Sequence, residues 1–328
     1  MKAWLLESLG GLERLNLADA PDPAPAAGEV VLDVRYASLN PADRYLAEGQ
    51  YPARPPLPHI LGRDGFGAVT AIGPGVTGIR VGDRKTILRG EAGVSRWGTF
   101  AQRVAVPVES LVDAPPSWTE QQAAAAALTY VTAYQALTQW GDLPPSVVLV
   151  TGASGGVGVA SLQLGAALGH TMLALSRGDS KRQQLLSLGA AAVFDPQSPT
   201  WRKQVKEFLQ GRRVDLAIDN IGGPLFSEVL DTLGEWGKVS VVGRLAGPVP
   251  QFNTAALFFH RLRIGGVAVG FYTSAESRAA WQALVGLLGR TGARPVIDRV
   301  FPFDQLPAAF DRLAQGPMGK VLLDVGAI

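Results

Sequence analysis

In a sequence of 328 residues, the stretch Thr151-Gly152-Ala153-Ser154-Gly155-Gly156-Val157-Gly158 has residue types and spacing suited to chemistry. It follows a β-branched run, Val147 to Val150, and leads into a helical pattern, Val157 to Leu168. Glycines without Cβ atoms let the backbone turn sharply and let a pyrophosphate approach the helix N-terminus, where free N–H groups and the dipole favour negative charge. The same stretch satisfies Gly-x-Ser-x-Gly, with Asp219 and His260 following in the order of a serine hydrolase triad around Ser154. Three features weigh against the hydrolase. Gly158 extends the glycine run as phosphate turns require, the turn lies on the first strand of its sheet, and the β-rich first third has no task in a hydrolase.

About twenty residues on, at the end of the next strand, an NAD site places an Asp or Glu for the ribose 2′-hydroxyl. Here stand Leu175-Ser176-Arg177, then Lys181-Arg182, with no carboxylate at the strand end. A hydroxyl with cations suits a 2′-phosphate, so NADP(H) is the expected cofactor.

These residues need elements to hold them. Six apolar, β-branched runs are expected as strands: Val147 to Val150, Thr171 to Leu175, Ala192 to Phe194, Val214 to Ile218, Val239 to Val242 and Leu262 to Val269. Helical segments lie between most of them, including Ser180 to Leu188 and Trp201 to Leu209, and such alternation implies a parallel sheet covered on both faces. From Met1 to about Ser117 the rhythm is different. Runs at Glu29 to Ser38, Gly65 to Ile72, Lys85 to Leu88 and Thr99 to Val106 are separated by turns such as Gly73-Pro74-Gly75, which predicts a mostly antiparallel β unit. One helix interrupts it, with Asn40 as N-cap, Pro41 in its first turn and Gly49 at its close. An alanine-rich helix runs from Thr119 to about Trp140, with a break expected near Thr129. After Tyr272 a helix (Ser274 to Leu288), a strand (Val296 to Phe301), a short helix from Asp304 and a last strand (Lys320 to Val325) are read as a return to the first unit.

Composition sets the limits. Apolar residues make up 47% and charged residues 18%, which is enough for a sizeable core, and the net charge of +2 is spread without a basic stripe, so neither nucleic acid nor membrane is an expected partner. There is no cysteine, which removes disulfides, thiolate metal sites and cysteine nucleophiles, and a cytoplasmic protein is expected. The three histidines, His59, His170 and His260, have no ligand spacing, and no metal is expected.

Together, several motifs resemble the medium-chain dehydrogenase/reductase superfamily, in its zinc-free branch of zeta-crystallin-like quinone oxidoreductases and 2-enoyl thioester reductases. They are Asn40-Pro41-Ala42-Asp43, Gly62-Arg63-Asp64-Gly65, Gly73-Pro74-Gly75-Val76 with Gly82-Asp83, Leu128-Thr129 with Thr132-Ala133-Tyr134, Gly155-Gly156-Val157-Gly158 and Gly319-Lys320-Val321-Leu322. The resemblance implies an α/β protein with a six-stranded parallel Rossmann domain (121–270) and a discontinuous GroES-like β-rich catalytic domain (1–120 and 271–328). Zinc-dependent relatives carry Cys where Asn40 stands, His where Arg63 stands and Cys close to Leu128.

By the same resemblance, Asn40 and Thr129 stand near the nicotinamide and its ribose. The cofactor is held by Ser154, Gly155, Gly156 and Val157 of the turn, Ser176, Arg177 and Lys181 after the second strand, Asn220 and Ile221 after the fourth, Gly243 after the fifth, Phe271 and Tyr272 after the sixth, and Lys320. Tyr51, in Glu48-Gly49-Gln50-Tyr51-Pro52, resembles the proton donor of enoyl reductases. A phenol stays protonated at neutral pH and can donate to the enolate that hydride addition leaves. Arg63 departs from the small or neutral residue common in this branch; it is open to an acceptor's carbonyl or anionic group, to Asp64 or to Asp43. The expected activity is NADPH-dependent hydride transfer to a quinone or to the C=C bond of an α,β-unsaturated carbonyl or enoyl thioester, by a homodimer joined through the last Rossmann strand. A non-catalytic NADPH-binding protein, crystallin-like or RNA-binding, is the alternative.

Overall fold

The structure, a computed structural model, describes residues 1–88, 91–247 and 252–326. In chain order the first elements are β1 (Lys2–Leu6), β2 (Leu15–Asp19), β3 (Glu29–Ser38), α1 (Pro41–Ala47), β4 (His59–Ile60), β5 (Asp64–Ile72), β6 (Arg84–Ile87), β7 (Arg103–Pro107), β8 (Leu111–Val112) and α2 (Glu120–Thr138). The middle of the chain supplies β9 (Val147–Val150), α3 (Gly156–Ala167), β10 (Thr171–Leu175), α4 (Arg182–Ser187), β11 (Ala190–Phe194), α5 (Trp201–Phe208), β12 (Val214–Asp219), α6 (Pro224–Leu230), β13 (Leu233–Val241), α7 (Ala255–Phe259) and β14 (Arg263–Gly266). The last elements are α8 (Ser274–Thr291), β15 (Ile297–Pro302), α9 (Leu306–Ala314) and β16 (Lys320–Asp324).

Two compact units result. One holds Met1–Leu128, Gly270–Trp281 and Arg294–Ile328; the other holds Thr129–Val269 and Gln282–Ala293. The divisions fall inside α2 and α8, so the second half of α8 belongs with the central unit, whereas the sequence reading assigned all of 271–328 to the first.

In the central unit the sheet order is β11-β10-β9-β12-β13-β14, every pair parallel. This is the 3-2-1-4-5-6 order of a dinucleotide-binding sheet, with its reversal between β9 and β12. All four residues of β9 are buried, as expected of a central strand covered on both faces. Leu149, Leu173, Trp201, Val214 and Phe226 belong to the core on one side of it.

The first unit is built on β3. On one side β5 pairs with it from Val30 to Ser38; on the other, β7 covers its first half and β16 its last residues, all antiparallel. β15 continues the sheet beyond β16, in parallel. The C-terminal strand thus returns to the N-terminal unit. Phe100 stacks edge-on against Phe310 in the same core, tying the two segments through apolar burial.

Several elements differ from expectation. The hairpin of β1 and β2, which the sequence reading does not mark, pairs with β4 in a separate small sheet. The run Thr99 to Val106 is a strand only from Arg103, because Thr99 and Phe100 bond instead to the carbonyls of Gly62 and Leu61. The sixth strand ends at Gly266 rather than Val269. Helix α2 passes through Thr129 unbroken, since β-branched residues lower helix propensity without ending a helix that tertiary packing supports.

Candidate active site

Two groups of residues could do chemistry, one in each unit. In the central unit the glycine turn joins β9 to α3. Gly152 has φ +58°, and a Cβ there would lie 2.8 Å from Ile221 Cδ1. A Cβ on Gly158 would lie 2.5 Å from the Gly152 carbonyl oxygen and 2.6 Å from Ala153 backbone carbon. These two glycines let the helix press against the turn. The first amide of this region bonded helically is Val159, to Gly155, so the N–H groups of Gly156, Val157 and Gly158 precede the ladder and meet no acceptor among the described residues, as an anion site requires.

The neighbouring strand ends close in on the turn. Thr151 Oγ1 donates to Asp219 Oδ1 (2.7 Å) and accepts from the Asn220 amide (2.9 Å), while Asn220 Nδ2 donates to the Thr151 carbonyl (2.8 Å). Asn220 Oδ1 is left buried with no hydrogen-bond partner among the described residues. The Gly243 amide donates to the Asp219 carbonyl, and a Cβ on Gly243 would meet the Asn220 carbonyl oxygen at 2.7 Å. An orphaned acceptor beside a cradle that side chains would fill fits a bound dinucleotide.

After β10, Ser176 is buried and Arg177 is exposed with no protein partner among the described residues. Lys181 Nζ donates to Ser154 Oγ at 3.1 Å, which joins the two halves of the expected phosphate region. Asp179, in the same loop, accepts from Arg182 Nε (3.1 Å), and Asp195 after β11 is engaged by the amides of Gly178 (3.1 Å) and Gln197 (2.9 Å). The strand end therefore offers a hydroxyl and cations, which suits NADP(H).

The serine hydrolase alternative does not survive. Asp219 is occupied by Thr151 and by the amides of Ile221 and Gly222. His260 precedes β14 and bonds through its carbonyl to the Trp236 amide, at the N-terminal ends of the parallel strands. Ser154 lies at their C-terminal ends, so the three cannot converge.

In the first unit the register decides what meets. Ser38 stands opposite Asp64 on β5 and opposite Leu322 on β16. Residues just beyond these pairs come to one end of the sheet. Asn40 Nδ2 donates to Asp64 Oδ2 (3.0 Å), and Lys320 Nζ donates to Asn40 Oδ1 (2.7 Å) and to Asp64 Oδ2 (3.2 Å). The Leu128 amide donates to Asp64 Oδ1 at 3.0 Å. Asp43, at the start of α1, accepts from the Asn40 amide at 2.8 Å. Its carboxyl is pushed up to about 6 by burial, against the pull of Arg63. Arg63 Nη1 donates to the Tyr51 hydroxyl at 3.0 Å, and its Nε lies 3.6 Å from Asp43 Oδ1. Of the partners left open for Arg63, the structure selects Asp43, while Asp64 goes to Lys320. Asn40, Tyr51, Arg63 and Lys320 are thus gathered in one network.

The remaining expected residues are placed differently. Thr129 is buried on α2. Phe271 is 90% exposed, which rules out a core role, and it lies with half-buried Tyr272 in the segment grouped with the first unit. Among the described residues, no three of His, Asp and Glu come together as a metal site, and no helix is long and apolar enough to cross a membrane.

The comparisons agree with this architecture. The model of the zinc-binding dehydrogenase family matches residues 156–288, and that of the alcohol dehydrogenase GroES-like domain matches residues 26–116. The chain is 31% identical over 350 residues to the synaptic vesicle membrane protein VAT-1 homolog of Rattus norvegicus, covering 99% of this chain and 84% of that one. It belongs to the medium-chain dehydrogenase/reductase superfamily. Within that superfamily it is quinone oxidoreductase-like: it is 29% identical to the quinone oxidoreductase of Lama guanicoe over 98% of this chain and 97% of that one. The crystal structure of Escherichia coli quinone oxidoreductase complexed with NADPH superposes with a TM-score of 0.89 at 25% identity, covering 99% of this chain and 100% of that one. This medium-chain oxidoreductase ties Asn40, Arg63 and Leu128 together through two buried carboxylates. Asn40 and the Leu128 amide both bond to Asp64, and Arg63 and the Asn40 amide both face Asp43.

Proposed function

We propose that the protein reduces quinones or the C=C bond of α,β-unsaturated carbonyl compounds, enoyl thioesters included, with NADPH. The observation that carries this reading is the end of β10, where Ser176, Arg177 (with no partner among the described residues) and Lys181 stand beside the glycine turn, and the loop's carboxylate, Asp179, is taken by Arg182. In this reading the amides of Gly156 and Val157 with Ser154 hold the pyrophosphate; Ser176, Arg177 and Lys181 hold the 2′-phosphate. Asn220, Ile221 and Gly243 close on the same strand ends, and Asn40, Thr129, Lys320, Phe271 and Tyr272 are assigned to the nicotinamide half. When bound, the reduced nicotinamide supplies the hydride. Tyr51 then supplies the proton that completes the reduction, from a hydroxyl already held by Arg63.

NADPH oxidation is to be followed against crotonyl-CoA, trans-2-hexenal and 1,4-benzoquinone in parallel, with NADH as control. Turnover on an enoyl substrate or on the quinone is expected, with NADPH preferred. NADPH bound with no acceptor reduced would instead bring forward the non-catalytic alternative. Ser176→Asp is expected to raise the KM for NADPH about 10- to 100-fold, since it exchanges a charge-assisted bond for repulsion; an unchanged NADPH/NADH ratio would remove this strand end from cofactor choice.

We also propose a cytoplasmic homodimer. β14 is the edge of its sheet, and Phe258, Phe259 and Ile264 are exposed on or near it, surface that pairing with a second copy would cover. Sedimentation equilibrium at micromolar concentration is expected to give a dimer; a monomer there would refute it.

A further inference from the structure

Arg63 is a costly residue to bury as it stands. It is 6% exposed, yet of its guanidinium nitrogens only Nη1 meets a hydrogen-bond acceptor, the Tyr51 hydroxyl. Among the described residues Nε and Nη2 are buried without one, and so is Asp43 Oδ1 across the 3.6 Å gap. A buried ion pair of such loose geometry adds little stability, and apolar residues of similar volume commonly serve a core better. A function for the pair is therefore to be sought in what Arg63 does to Tyr51.

A phenol oxygen offers two lone pairs and one O–H, whereas guanidinium offers donors only. Arg63 therefore occupies a lone pair of Tyr51 and leaves its O–H free to donate elsewhere. The guanidinium also lies 4.3 Å from the centroid of the Tyr51 ring, which holds the ring by cation–π attraction as well as by the hydrogen bond. Once the proton has gone, the negative charge rests on an atom that already accepts from a cation.

We propose that Arg63, braced by Asp43, is a positioning residue that aims the Tyr51 hydroxyl as proton donor and stabilises the phenolate that donation leaves. This rests on the reading of Tyr51 as donor given above. In that reaction hydride forms the new C–H bond at the β-carbon, and the C=C π pair becomes an enolate. The Tyr51 O–H bond breaks as the α-carbon gains its proton, and water reprotonates the phenolate. Both electrons arrive with the hydride, and neither Arg63 nor Asp43 changes.

The test uses Tyr51→Phe, Arg63→Met, Arg63→Lys, the double variant Tyr51→Phe/Arg63→Met, and Asp43→Asn/Arg63→Met, which keeps the cluster neutral. With the enoyl acceptor, Arg63→Met is expected to lower kcat about 10- to 100-fold while KM changes less than about threefold. Arg63→Lys is expected to recover part of that loss. The decisive result is non-additivity: Tyr51→Phe/Arg63→Met is expected to be no slower than Tyr51→Phe. Asp43→Asn/Arg63→Met is expected to lose kcat as Arg63→Met does but to melt near the wild type, which separates positioning from folding. Independently of turnover, the Tyr51 resonance in protein carrying ¹³Cζ-labelled tyrosine is expected to shift in Arg63→Met and to stay in place in Arg63→Lys. A full rate in Arg63→Met, an equal loss in both Tyr51 backgrounds, or an unmoved resonance would overturn the proposal. Tyr51→Phe at the wild-type rate would instead remove the donor reading on which it stands.

Discussion

Gly158→Val is expected to weaken NADPH binding about 100-fold while the chain remains folded. The position has no free space: a Cβ would lie 2.5 Å from the Gly152 carbonyl oxygen and 2.6 Å from Ala153 backbone atoms. Backbone cannot yield as a flexible side chain does, so α3 must withdraw from the turn. That movement carries the amides of Gly156 and Val157 away from the anion they are proposed to hold. Each hydrogen bond to a charged group contributes about 1.5–3 kcal/mol, so two weakened bonds give the expected factor. The same overpacking costs about 1–3 kcal/mol of stability, which lowers the melting temperature without abolishing the fold. Fluorescence titration with NADPH, alongside calorimetry, measures both. Affinity unchanged in a folded variant would show that the helix terminus does not receive the dinucleotide.

Lys320→Met is expected to cost about 3–5 kcal/mol of stability, as removing one member of a buried ion pair does. Lys320 and Asp64 are 4% and 1% exposed, and the ammonium is the buried cation facing that carboxylate at 3.2 Å. Without it the Asp64 carboxylate retains, among the described residues, the neutral donors Asn40 Nδ2 and the Leu128 amide. Lys320→Met combined with Asp64→Asn is expected to recover much of the loss, because no unpaired charge then stays buried. Lys2→Met is the control: its pair with Asp19 is exposed and is expected to change stability by less than about 1 kcal/mol. Calorimetry on the three variants beside the wild type decides the matter. If Lys320→Met melts with the wild type, charge balance is not what holds Asn40 in place.

How legible this protein was depended on whether a feature is local. Thr171 to Leu175 and Trp201 to about Leu209 are readable because strand and helix period, β-branching and cap residues act over a few neighbours. The glycine turn is readable for the same reason: its conformation and its nearness to the following helix are built into eight consecutive residues. Local signals also misled. Thr129 and its β-branched neighbours suggested a break in α2, but packing carries the helix through. Phe271, by contrast, keeps the cofactor role proposed for it by resemblance, and its exposure follows from where the chain goes after β14.

The sequence by itself determined the six-stranded alternation, the glycine turn and the lack of a carboxylate at the end of the second strand. Each of these is a property of side-chain period, backbone freedom or charge within a short segment. Only the tertiary structure decided that Asn40, Asp64 and Lys320 form one buried network and that Arg63 turns to Tyr51 and Asp43. Asn40 is 24 residues from Asp64 and 280 from Lys320, and they meet because β3 is flanked by β5 and β16 in one register. Which strands become neighbours is set by burying apolar surface across the whole unit, a long-range balance that no short window of sequence contains.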